Sequence, residues 1–187
     1  MDQNNKTSAD YNDLALEKLE QGYFEEAMTL LGEAAKLYPG YFLDRGQYYY
    51  DAERYEDAIA DYTSLIKLWP DDDHAYVMRA LAYFMLGKFR EAILDRTVLI
   101  HLFPQNADHY FNRAEALWSL GEIDQALEDY TKAVNLNMEW ALFKRAHVYE
   151  QIGQNENSLN DFQSLIDTLP PSHPHVEIAR TKIESLK

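Results

Sequence analysis

A chain of 187 residues with 47% hydrophobic side chains is long and apolar enough to bury a core. Its formal charge of −15, from 17 Lys+Arg against 32 Asp+Glu, argues against binding nucleic acid or an anionic lipid surface. Cysteine is absent, which excludes disulfides, thiol catalysis and cysteine-ligated zinc.

The 7 Gly and 6 Pro are few for a β-protein built on tight turns. No apolar run reaches the roughly 18 residues of a membrane span. The start, "MDQNNKTSAD", lacks the basic and apolar regions of a signal peptide. No membrane association and a cytoplasmic location are therefore expected.

Residues 1–7 read as a flexible N-terminal tail. From residue 8 the chain repeats. Arg45, Arg79, Arg113 and Arg145 recur at intervals of 34, 34 and 32. Gly22, Glu53, Gly87, Gly121 and Gly153 are spaced by 31, 34, 34 and 32, and Ala27, Ala58, Ala92, Ala126 and Ser158 keep the same steps. So do Pro39, Pro70, Pro104, Met138 and Pro170. Rows that share one irregular spacing define repeats, with residues lost at the junctions after the first and fourth units. The units run 8–38, 39–72, 73–106, 107–138 and 139–172.

Within a unit the apolar period is helical. In the third, Tyr76, Ala80 and Tyr83 step by four and three along one face. A second apolar face follows Gly87 through Phe89, Ala92, Ile93 and Leu99, and Pro104 stops it. Each unit is thus helix, turn, helix and a Pro-marked turn, too small to bury its apolar face except against its neighbours. After the fifth unit, residues 173–187 place Val176, Ala179, Ile183 and Leu186 on one face, the pattern of a terminal capping helix.

The arginines sit in otherwise apolar helices, as in "YVMRALAYFMLG", where an unpaired buried charge costs several kcal/mol. Asp61, Asp95, Asp129 and Asp161 each lie 16 residues after one of them, with the turn midway. Residues equidistant from the turn of an antiparallel hairpin lie side by side, so structural ion pairs Arg45–Asp61, Arg79–Asp95, Arg113–Asp129 and Arg145–Asp161 are expected. In the first unit both positions are apolar, Leu14 and Leu30. Partners that vanish together are not independent surface charges.

"YVMRALAYFMLGKFREAILDRTVLIHLFP" resembles a tetratricopeptide repeat, through Tyr76, Ala80, Tyr83, Ala92 and Pro104, with Arg96 where an aromatic is usual. The resemblance covers residues 8–172. It implies an all-α, right-handed superhelical solenoid of five helix-turn-helix repeats plus the C-terminal capping helix. The fifth repeat departs at Asn155 and Ser158, so looser packing is expected there.

Some members of the family clamp the carboxylate of heat-shock chaperones with Lys and Asn side chains. The matching positions here are Val77, Leu81, Asn112, Trp140 and Lys144, or one repeat earlier Leu43, Gln47, Met78, Asp108 and Asn112. A heat-shock chaperone carboxylate clamp is therefore not expected.

The resemblance also implies that first helices line a concave groove. The stripe of those helices left over from hairpin packing begins with Asn12, Leu16 and Leu19. It continues with Leu43, Gln47 and Tyr50, then Val77, Leu81 and Phe84. Phe111, Glu115 and Trp118 follow, and then Phe143, His147 and Glu150. Asp44, Asp51, Glu115 and Glu150 edge it with negative charge. The expectation is an adaptor that binds a protein or peptide segment with apolar anchors and basic residues. A small secretion-type chaperone and a self-associating structural module are the alternatives, and the groove could be filled by residues 1–7 or a second copy.

No enzyme motif emerges, neither a glycine-rich phosphate loop nor a nucleophile elbow. "HPH" at 173–175 reads as a solvated loop, and "DDD" at 71–73 as the acidic first turn of a helix. No metal or cofactor is expected.

Overall fold

The computed structural model describes residues 6–186. Among them are eleven helices and no strand. They are α1 (Ser8–Glu20), α2 (Phe24–Leu37), α3 (Tyr41–Asp51), α4 (Tyr55–Leu68), α5 (Asp73–Met85) and α6 (Phe89–Leu102). Then come α7 (Ala107–Ser119), α8 (Ile123–Asn135), α9 (Glu139–Gln151), α10 (Asn155–Thr168) and α11 (Pro174–Ser185). The chain divides into two units, Met1–Asp95 and Arg96–Lys187, with the division inside α6. Each unit is a stack of antiparallel helix pairs.

The turn inside each pair explains the glycine row. Gly22, Gly87, Gly121 and Gly153 have φ between 69° and 81°, the left-handed region that ends a helix without a Cβ penalty. Glu53, in the same row, is forced to φ 59° without that freedom. The irregular spacing also has a local cause. The helix α3 has 11 residues where α1, α5, α7 and α9 have 13. At the fourth junction Asn137 takes φ 65°, a tight turn in place of the proline-marked one.

Helix starts follow from capping chemistry. The Thr7 side chain accepts from Asp10 N while the Asp10 carboxylate accepts from Thr7 N, a capping box, so Thr7 is the N-cap of α1 and not part of a tail. Residues 1–5 lie outside the described residues. Asp72 caps α5 by accepting from Ala75 N at 2.8 Å, which gives "DDD" a helix-starting role. "HPH" is not a solvated loop: His173 is the N-cap of α11, Pro174 opens that helix and His175 is buried in it. Pro fits there because the first helical N–H has no intrahelical partner.

The cores are built from small residues against large ones. In the first unit Ala15, Ala27, Met28 and Leu31 pack with Leu19, Phe24, Tyr48 and Tyr49. In the second, Ala146, Phe162, Leu165 and Ala179 pack with Leu142, Phe143, Ile183 and Leu186. Ala179 and Val176 are fully buried while Glu177, Arg180 and Glu184 face water, so α11 buries one side and leaves the other solvated. Ser158 is fully buried too, and its hydroxyl donates to the Ala146 carbonyl at 2.9 Å. Its polarity is therefore satisfied.

Candidate functional site

Each arginine of the repeat makes a two-pronged contact with the aspartate 16 residues on. Arg79 donates from Nε and Nη2 to the two Asp95 carboxylate oxygens at 2.8 and 2.7 Å. Arg45 meets Asp61 at 2.7 and 2.6 Å, Arg113 meets Asp129 at 2.6 and 2.8 Å, and Arg145 meets Asp161 at 2.8 Å twice. The Arg79 and Asp95 side chains are only 15% and 6% exposed. Arg79 also lies over the faces of Tyr76 and Tyr83 at 5.6 and 5.9 Å, which is how a guanidinium sits in an aromatic helix.

A second row escapes the sequence reading. The remaining arginine nitrogen donates to a threonine on the preceding helix: Arg79 to Thr63, Arg113 to Thr97 and Arg145 to Thr131, at 3.0, 3.0 and 2.8 Å. One arginine thus ties its own hairpin together and binds the hairpin before it. In the first repeat the equivalent position is Gly32, and a Cβ there would collide with the Arg45 guanidinium. Arg45 reaches the Met28 carbonyl instead, at 3.4 Å.

The stripe residues form two surfaces, one in each unit. In the first, Leu43, Gln47 and Tyr50 on α3 and Val77, Leu81 and Phe84 on α5 are all half-buried. Their rings are steadied edge-on by the next helix, Tyr50 against Tyr55 and Phe84 against Phe89, both at 5.2 Å. Burial pushes the Tyr50 hydroxyl above the usual tyrosine range, aided by Tyr55 and Asp51. Asp44 and Asp51 are exposed beside this stripe, and Gln47 donates to Asp51 at 2.7 Å. Desolvation by neighbouring groups also raises the Asp44 carboxyl. On α1, Leu16 is exposed, while Leu19 packs into the core rather than onto the stripe.

In the second unit Phe111, Glu115 and Trp118 on α7 and Phe143 and His147 on α9 are likewise half-buried. A cavity of about 300 Å³ opens between Glu115, Trp118, Tyr130, Phe143, Lys144 and His147. The expected acidic edge is neutralised here. Glu115 accepts from Lys144 at 2.8 Å and from the Tyr130 hydroxyl, and Glu150 accepts from Lys182 at 2.7 Å. Burial alone would raise Glu150, but the Lys182 ammonium and His147 bring it below the usual carboxylate range. Burial and the Lys182 charge depress His147, which lies edge-on to Phe162 at 5.3 Å. Free negative charge beside the stripe therefore belongs to the first unit.

The same arrangement decides the fate of two buried tyrosines. The Tyr130 hydroxyl donates a hydrogen bond to Glu115. Tyr62, at the equivalent place in the second repeat, is fully buried and its hydroxyl has no partner, because Gln47 turns to Asp51.

The tetratricopeptide repeat pattern matches residues 43–98 and again 110–140. Among solved structures, MamA from Desulfovibrio magneticus is similar at a TM-score of 0.74 and 17% identity, over 87% of this chain and 95% of that one. A second MamA structure matches at 25% identity and TM-score 0.74, over 86% and 90% of the two chains. A tetratricopeptide repeat protein from Parabacteroides merdae matches at 19% identity and TM-score 0.74, over 96% of this chain and 72% of its own. No curated protein matches the sequence. Residues 43–98 and 110–140 are tetratricopeptide repeats, and the chain has the all-α helical-repeat fold of such proteins. Among the described residues no helix is long and apolar enough to cross a membrane.

Proposed function

We propose that the protein is a non-catalytic adaptor of the cytoplasm whose first-helix stripes bind a protein or peptide segment through apolar anchors, with basic residues beside them. The observation that carries this is the half-buried state of the stripe. Leu43, Tyr50, Val77, Leu81 and Phe84 in one unit, and Phe111, Trp118 and Phe143 in the other, are neither core nor scattered surface. Rings already held edge-on lose little freedom on binding, and aromatic anchors in desolvated pockets dominate binding energy. Asp44 and Asp51 favour Lys or Arg in the segment that meets the first unit. In the second unit Lys144 and Lys182 cancel that preference.

The test is a peptide-display selection on the purified protein, repeated on Phe84→Ala/Trp118→Ala and on Asp44→Asn/Asp51→Asn. The first variant removes one anchor from each surface and should weaken the peptides selected on either by at least about thirtyfold in Kd, as an anchor of about 2 kcal/mol implies. Its melting temperature should stay nearly unchanged. The second should keep the apolar anchors, lower the association rate and lose the preference for basic flanks. An unfolded first variant would make the stripe part of the core. A folded variant that binds every selected peptide as well as the wild type would place the site elsewhere.

A further inference from the structure

Glu139, His173 and His175 bring three ligand atoms within 4.8 Å of one another, and we propose that they form a zinc site joining α9 to α11. Glu139 is the first residue of α9, and the two histidines flank Pro174 at the start of α11. His175 Nδ1 lies 2.5 Å and His173 Nε2 3.5 Å from the same Glu139 oxygen. Two imidazole nitrogens and a carboxylate are a donor set that suits Zn²⁺, at bond lengths of about 2.0–2.2 Å. Tetrahedral ligands at such lengths stand roughly 3.3 Å apart. The His173–Glu139 spacing already fits, the His175–Glu139 contact must widen by less than about 1 Å, and the two imidazole nitrogens, within 4.8 Å of each other, must settle at a similar separation.

The site is held in advance by groups that would not ligate. His175 is 7% exposed, stacked on Phe143 at 4.3 Å and 11°, with Trp140 edge-on at 4.5 Å. That packing fixes the ring and shields the site on one side. Glu139 and His173 are about a third exposed, which leaves an entry path and an open fourth position for water. Two features oppose the ion. The starts of α9 and α11 carry partial positive charge, which weakens a cation by a factor of about five or less at each end. Ligation through His173 Nε2 also puts the proton on Nδ1, which ends its 3.3 Å bond from His175 N. Both are small beside three ligand bonds. The sequence hides the site because Glu139 is 34 residues from His173 and opens the fifth repeat, whereas the histidines open the capping helix.

The experiment uses the full chain without an affinity tag, stripped with a chelator and titrated with Zn²⁺ by calorimetry and with Co²⁺ by visible absorption. Zn²⁺ should bind once per chain, at micromolar Kd or tighter, and raise the melting temperature with the logarithm of its excess over Kd. Co²⁺ should give ligand-field bands of low coordination number. His173→Ala and Glu139→Gln should each weaken Zn²⁺ at least tenfold, and remove the thermal shift, while His74→Ala and His101→Ala should change neither. Circular dichroism of His173→Ala, whose ring is not core, verifies that the fold persists. Absence of saturable binding, or binding unchanged in the His173→Ala/Glu139→Gln double variant, would overturn the site and leave a hydrogen-bonded cluster that anchors α11.

Discussion

Arg79 carries a full charge in an aromatic helix because its environment is complete: two carboxylate oxygens, one threonine hydroxyl and two ring faces. Removing one side of such a buried pair leaves the other uncompensated, which costs about 3–5 kcal/mol. Arg79→Ala and Asp95→Ala should each lower the urea midpoint sharply, and the double variant should lose less than the sum. Additive losses in that double-mutant cycle would mean that the contact contributes nothing of its own. Thr63→Val should cost about 1 kcal/mol, the worth of one ordinary hydrogen bond. Tyr62 poses the opposite case. Its buried hydroxyl is unpaired and stays protonated, burial having pushed it well above the usual tyrosine range. Tyr62→Phe should therefore be neutral or stabilising by about 1 kcal/mol, whereas Tyr130→Phe strips Glu115 of a donor and should destabilise. Equal urea midpoints for the two variants would refute the distinction.

At the scale of the helix pair, one position decides the turn. Four of the five pairs place glycine at positive φ, and the second pair places Glu53 there at 59°. A side chain in the left-handed region costs roughly 1–2 kcal/mol, against which glycine's extra freedom in the unfolded chain costs about 0.5–1. Glu53→Gly should leave stability unchanged or raise it by up to about 1 kcal/mol in a thermal melt, while Gly87→Glu should lower it by a similar amount. A clear loss in Glu53→Gly would show that the glutamate makes a compensating contact. Helix pairs also explain what was legible. The Arg–Asp interval survives the uneven junctions because both partners lie inside one hairpin, symmetric about its turn. The threonine row keeps its own period, five residues after the alanine row at Thr63, Thr97 and Thr131. It stays hidden because its partner is in the next repeat, where junction length changes the interval from 16 to 14.

Across the whole molecule the formal charge of −15 opposes compactness. Raising NaCl from about 0.01 M to about 0.15 M shortens the screening length from about 30 to about 8 Å. The melting temperature should rise over that range, since long-range repulsion is screened while the buried bridges are not. A falling melting temperature would mean that exposed pairs such as Arg54–Glu25 outweigh the repulsion.

The repeat, its all-α class, the turn positions and the Arg–Asp partners could be read from the sequence because each recurs at a fixed position inside one helix pair. Which charges remain free could not. Glu115 and Glu150 read as part of an acidic edge, yet Lys144 and Lys182 reach them from 29 and 32 residues away, on the following first helix and on α11. "HPH" read as a loop, and only packing against Trp140 and Phe143 buries His175 beside Glu139. Local periodicity records which face of a helix is apolar. Which side chain of the next helix arrives opposite it depends on how the stacked helices pack, and that is decided only when the chain is folded.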